Sequence, residues 1–459
     1  MILRSEWTKF RSVRGWVIGT AVAALLILVF PVTGLGGAGS EKPRPIPLGP
    51  GGEPVVDAYY FVPRPLAGDG RITVEVTALE SRAPWAKAGL LVRAGTRYAA
   101  ILRTAGHGVR MQYDYTGDVA GPDPAARWLR LTRSGDTVIG EASADGTHWD
   151  RVGAVRLPGP LRAGLFVACP QHVHGVGTEP DAATATFAGA GSGPWTGGQH
   201  GAGTATFAGY PLGVSGGFSA SAGRVTVTGA GDLAPATRTD VVPAASINDL
   251  LFGTLPALIV VVVIATLMAT TEYRYGLIRS TLSATTRRGR VLLARAAVAG
   301  GVTFVAGLVG AALAVAIWPG LVRGLGVFLF PASSGAVVRV AAGTAAVLAL
   351  AAVFALGVGT LLRRSAAAVT TVVTLTVLPY LLALVPFTPL PMAEWLTRVT
   401  PAAALAVQQT VVRSPQVDGL YNPANGYYPL SPWAGLAVLG GYAGLALALA
   451  AVAQRRRDV

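Results

Sequence analysis

Carboxylates are the first residues to weigh for catalysis. Asp57, Glu75, Asp114, Asp136, Glu141 and Asp150 are scattered through the stretch between residues 55 and 190, and a retaining glycosidase needs only two such groups about 5 Å apart. No spacing singles out a pair, because most fall in turns or at alternating strand positions that face solvent. The histidines are His107, His148, His172, His174 and His200. His172 and His174 would share one face of a strand with Cys169 close by, a geometry a metal ion can use. Pro170 and the Gly-rich stretch after His174 point instead to a loop, so no catalytic residue and no metal site is assigned. The aromatic residues Trp85, Tyr113, Trp128 and Trp149 offer flat faces for stacking on sugars and are the candidate glycan contacts. Core packing and cross-strand pairing account for the same residues.

Nucleotide chemistry is easier to exclude. A phosphate-cradling loop reads G-x-x-x-x-G-K-S/T, and the chain's three lysines, Lys9, Lys42 and Lys87, follow Thr8, Glu41 and Ala86. The chain therefore binds no ATP through such a loop and is expected to hold no cofactor of its own.

The elements that position these residues come in two kinds. Hydrophobic residues make up 52% of the 459 and charged residues 13%, too apolar for an ordinary soluble domain. The excess sits in six runs, at about 16–35, 252–271, 296–318, 340–362, 365–386 and 433–453. Each is close to the ~20 residues that span a ~30 Å bilayer core as a helix. The net charge of +14 does not mark a nucleic-acid binder, since the basic residues gather at span ends and not on one domain. Arg4, Lys9, Arg11 and Arg14 precede the first run, Arg274 to Arg295 follow the second, Arg363 and Arg364 the fourth, and Arg455 to Arg457 the sixth. Alternate basic connections predict both termini in the cytoplasm and residues 36–247 outside it. Only Arg323, with Arg339 at the next helix edge, departs mildly from that pattern. The first run exceeds the 7 to 15 apolar residues of a signal peptide and is expected to be a retained anchor.

Residues 1–15 place Leu3, Trp7, Phe10 and Val13 at helical spacing with Arg4, Arg11 and Arg14 on other faces. This predicts an amphipathic helix on the inner membrane surface, with Trp7, Phe10 and Arg11 at the interface. Residues 16–35 form the first span and 36–54 a Gly/Pro-rich linker. From residue 55 the period changes to two, with short runs such as "RITVEVTAL", "YAAILRT" and "LRAGLFVA" between Gly, Asp and Pro turns, the pattern of an antiparallel sandwich. "RSGDTVIGEASADGTHWDRVG" predicts a hairpin turning at Gly135-Asp136 and a second turn at Asp145-Gly146. The single cysteine, Cys169, leaves no intrachain disulfide to hold this domain. Residues 191–247, with "TATFAGY" echoing "TATFAGA", predict a small Gly-rich β extension. After the fifth span, "PMAEWLTRVTPAAALAVQQTVV" predicts a short helix pair broken at Pro401.

Two resemblances attach to these words. "WAKAGLLVRAG", "RWLRLTRSGDTVIGEASADGTHWDRVG" and "GPLRAGLFVA" are similar to concanavalin-A-like, laminin-G-like β-sandwich domains over about residues 55–190. The opening "MILRSEWTKFRSVRGW", the segment "TEYRYGLIRSTLSATTRRGRVLLAR" and the six spans together resemble the permease subunits of type-2 ABC exporters. That resemblance implies a coupling helix within 271–295 that docks on a separate ATPase, with Glu272, Tyr273, Arg274, Gly276 and Arg279 at the interface. Charged side chains there can bond a partner surface, although topology and lipid headgroups alone would also use the arginines. It further implies ATP and magnesium on the partner ATPase, a second permease chain and a bacterial-type plasma membrane.

The fold class expected is therefore a membrane all-α unit of six transmembrane helices (residues 1–35 and 248–459) with an extracytoplasmic antiparallel β-sandwich inserted between helices one and two. The central parts of the six runs hold no Asp, Glu, Lys, Arg or His, which disfavours ion-coupled transport. The function expected is export driven by a separate ATPase, with no enzyme activity in this chain. The alternative is a membrane-anchored protein that recognises or senses a glycan or protein ligand through the sandwich.

Overall fold

The computed structural model describes residues 2–30, 46–64, 66, 68–174, 177–191, 195–201, 206–207, 210–211, 216–241, 243–274, 288–385 and 387–456. Two compact units share the chain. Met1–Pro43, Pro243–Val412 and Tyr421–Val459 form one; Arg44–Val242 and Arg413–Leu420 form the other.

The second unit is an antiparallel β-sandwich. One sheet runs Asp150–Arg156, Thr137–Ser143, Trp128–Ser134, Gly70–Glu80, Ala183–Ala188, Arg224–Gly229 and Gly217–Ser221 from edge to edge. The other runs Gly198–His200, Tyr59–Arg64, Arg162–Ala168, Lys87–Ala94, Arg97–Thr104, Val109–Tyr113 and Gly117–Ala120. Alternation builds the space between them: Ala183, Ala185 and Phe187 point inward and Thr184 and Thr186 outward. Val74, Leu90, Ile101, Met111, Leu129, Leu165 and Val227 fill the core. In the second sheet the period of two disappears, and Lys87 to Val92 are all buried. The cause is a second apolar cluster on that sheet's other face, where Tyr59, Phe61, Leu91, Tyr98, Leu102 and Phe166 pack with Val55 and Leu233.

The predicted hairpin is present, with Ser134 paired to Thr137 and Gly135 at φ +57°. The region read as a separate extension behaves differently. Arg224–Gly229 pairs with Ala183–Ala188 and carries Val225 and Val227 into the sandwich core, while Gly198–His200 pairs with Tyr59–Arg64. These segments complete the two sheets. The stretch around His172, read as a loop, is a short strand, His172–His174, paired with Gly177–Glu179.

The helical unit begins with α1 (Ile2–Ser12) and α2 (Arg14–Val29), bent by 81° at Val13. It continues with α3 (Thr254–Arg274), α4 (Arg288–Gly324), α5 (Ser334–Leu362), α6 (Ser365–Thr376), α7 (Leu378–Leu384), α8 (Leu390–Val399) and α9 (Pro432–Arg456). Among the described residues, five helical stretches are long and apolar enough to cross a membrane, and the bent pair α1–α2 makes a sixth if taken as one span. Ser333 caps α5 by accepting from the Ala336 amide, and Arg363, at φ +56°, ends it. The fifth apolar run breaks at Val377, because Pro379 has no amide proton to continue the ladder and sits in the first turn of α7. The predicted helix pair is α8 followed by a 3-10 turn, Pro401–Gln408, all eight residues of which are buried.

Candidate functional site

The expected ATPase-facing segment sits at the end of α3. Glu272, Tyr273 and Arg274 form its last turn, and Gly276 and Arg279 lie outside the described residues. The interfacial trio on α1 divides. Trp7 is 43% exposed and Arg11 is exposed, whereas Phe10 is 4% exposed and packs into the helical core, its ring stacked between Trp7 and Trp16. Glu6, one turn before Phe10, is also buried, and its two oxygens meet Lys9 Nζ at 2.8 Å and Arg295 Nε on α4 at 3.2 Å. A buried carboxylate on an amphipathic helix is a signal the sequence carried, since Glu6 and Phe10 are four apart and share a face.

At the opposite ends of these helices lies a polar network that hydropathy concealed. Gln408 Nε2 donates to Thr254 Oγ1 at 2.9 Å and Thr344 Oγ1 at 3.0 Å, joining the 3-10 turn to α3 and α5. Arg339 donates to the Gln409 carbonyl. The Tyr380 and Tyr428 hydroxyls lie 3.1 Å apart, and Tyr428 donates to Asn248 Oδ1 at 3.1 Å. Close backbone approach makes room for the 3-10 turn: a Cβ on Gly343 would overlap Val407, and one on Gly435 the Ala403 carbonyl. Each buried polar group here gains a partner it would otherwise lack in an apolar core.

In the sandwich, the four aromatic candidates have different surroundings. Trp128 and Arg130 stand on one strand face, and the Arg130 guanidinium lies 3.6 Å over the Trp149 ring, with Glu141 3.9 Å from Arg130. Trp85 is elsewhere and 4% exposed, stacked on His107 at 4.0 Å with Arg110 on its ring at 5.3 Å. Tyr113 packs half-buried against the sandwich core. The candidate carboxylates are mostly held by arginine: Asp57 by Arg93, Asp114 by Arg97, Asp136 by Arg156 and Glu141 by Arg130.

Asp57 has the most built environment of these. Burial would raise its carboxyl, but hydrogen bonds from His200 and Arg93 and the guanidinium charge outweigh burial and hold it at about 2. Asp145 accepts from the Thr147 and His148 amides and the His148 ring, which pushes its carboxyl down and closes the turn predicted there. Cys169, buried beside Ser81, has its thiol pushed up to about 12 by burial. Among the described residues, no group of three His, Cys, Asp or Glu side chains is placed to hold a metal ion.

No family model and no curated protein matches the chain. Among solved structures, a functionally unknown protein from Saccharomyces cerevisiae is similar to 35% of this chain and 85% of its own, at 16% identity and a TM-score of 0.19.

Proposed function

We propose that this chain is the membrane-spanning permease subunit of an ATP-binding-cassette exporter. Five apolar helices plus the bent pair α1–α2 serve as six spans, with the β-sandwich outside the membrane between the first and second. The observation that carries the reading is the pairing of an amphipathic N-terminal helix, bent by 81° into an apolar helix, with a set of long helices whose central parts hold no Asp, Glu, Lys, Arg or His. Such helices offer no relay for an ion gradient, so the driving force comes from outside the membrane plane. A separate ATPase, carrying ATP and magnesium, would engage residues 271–295. Its closure would displace Glu272 to Arg279 and reorient the spans in a dimer of permease chains.

Affinity purification of the full chain from native membranes tests this reading. It expects one co-purifying ATPase whose hydrolysis the chain stimulates, and expects Glu272→Ala with Arg274→Ala to abolish the stimulation. Recovery of the chain without any ATPase, or a reporter fused after Val459 found outside the cell, would overturn it.

A further inference from the structure

Glu6 is a carboxylate that the proposed function leaves unused. It is 6% exposed, and Arg295, which faces it from α4, is 7% exposed. A helix resting on a lipid surface would turn its acid to water. This one turns it into a neighbouring helix and holds it between two cations. The contact joins residues 289 positions apart, and two further observations tie α2, which follows α1, to the same α4. A Cβ on Gly310 of α4 would come within 2.7 Å of the Ala24 carbonyl oxygen of α2, so the two backbones approach as closely as glycine allows. Eight residues on, Trp318 Nε1 donates to the Leu28 carbonyl at 2.7 Å. The bent pair α1–α2 is thus keyed to α4 once from α1, at Glu6, and twice from α2, at Ala24 and Leu28.

We propose that α1, α2 and α4 move as one body, and that Glu6 is the positioning residue that locks α1 into it. α4 begins at Arg288, immediately after residues 275–287. Resting on the exporter reading, a displacement delivered to that segment enters α4 by the backbone and reaches α1 through Arg295 and Glu6. Loss of Glu6 leaves α4 able to move without α1. Charge, and not packing, makes the lock: Phe10 and Trp16 would still anchor α1 apolarly, but the Glu6 carboxylate lies against the buried Arg295 guanidinium.

Spin labels on Leu3→Cys and Arg290→Cys, in the full chain in phosphatidylglycerol nanodiscs, measure the lock directly. The wild-type background should give a narrow interspin distance distribution, E6Q a broad one, and E6R/K9E/R295E, which inverts all three charges, a narrow one again. An unchanged distribution in E6Q, or a broad one in the inverted triple variant, would overturn the lock. ATPase stimulation is measured in parallel with the co-purified ATPase. Stimulation should be lost in E6Q with assembly retained and restored in the triple variant; full stimulation in an E6Q protein whose α1 is demonstrably loose would overturn the role in coupling. Absence of stimulation in the wild-type chain would count against the exporter reading, and the distance measurement would still decide the lock.

Discussion

Gln416 reaches across 301 positions of sequence to donate from Nε2 to the Tyr115 carbonyl oxygen at 3.2 Å. The acceptor sits in an unusual turn: Asp114 and Tyr115 are consecutive non-glycine residues at φ +47° and +64°, a region that side chains other than Asn and Asp seldom enter. The Tyr115 ring, set edge-on against Tyr98 at 5.0 Å, and the Arg97–Asp114 ion pair hold the turn from within the sandwich. Gln416, buried with Val417, holds it from the connector that follows the 3-10 turn. The segment Arg413–Leu420 therefore belongs to the sandwich although its flanks belong to the helical unit.

Gln416→Ala should free this segment. Removing one buried hydrogen-bond partner costs about 1–2 kcal/mol, and amide exchange should quicken at residues 114–117 and 413–420 together. Faster exchange confined to 413–420 would mean that Gln416 does not support the turn.

Lys87 is fully buried, with its ammonium on the Asp232 carboxylate and 3.4 Å from the Leu233 carbonyl. Lys87→Met leaves a buried, uncompensated carboxylate and should destabilise the sandwich by about 3–5 kcal/mol. Adding Asp232→Asn should recover much of that loss. Pulse proteolysis of the full chain measures both, and equal losses in the single and double variants would contradict the ion-pair account.

Asp57 should give the sandwich an acid-labile component. Its carboxyl titrates at about 2 when folded against 3.8 ordinarily. A depressed folded value means the stabilisation is fully present above about pH 4 and is lost as the pH falls through 2, a contribution of roughly 2 kcal/mol. Asp57→Asn should be less stable than wild type at pH 7, and the two should converge towards pH 2. A constant difference over that range would remove Asp57 from the linkage.

Cys169 should resist alkylation. Burial pushes its thiol up to about 12, so at pH 8 almost no thiolate forms and the sulfur is shielded. Iodoacetamide should label the chain only after denaturation; rapid labelling of the folded protein would show that this part of the sandwich opens.

Glycine substitutions in α9 should separate packing from composition. At Gly435 an added methyl group meets the Ala403 carbonyl, whereas nothing lies within 4 Å of a Cβ on Gly440. Gly435→Ala should cost about 1–3 kcal/mol and Gly440→Ala should be neutral or slightly stabilising, read as thermal stability in detergent.

The presence of long apolar helices, the strand-rich segment after the first apolar run, and its hairpin at Gly135 were legible in the residues, because each depends on local period, length and turn chemistry; of the six apolar runs, five are long apolar helical stretches among the described residues, and the first counts only as part of the bent pair α1–α2. The break at Val377 was also within reach, two residues before Pro379. Long-range pairing was not legible. Nothing in the spacing around Glu6 or Gln416 names Arg295 or Tyr115 as a partner, and the Gly-G-rich run before residue 247 looked separate until its valines entered the sandwich core. Trp149 lies under the Arg130 guanidinium while Trp85 is buried, although all four candidate aromatics read alike as residues. Local periodicity determines which face of an element is apolar; only the folded chain decides which other face, hundreds of residues away, covers it, because burial is satisfied by any surface of the right shape and polar groups inside it must then find specific partners.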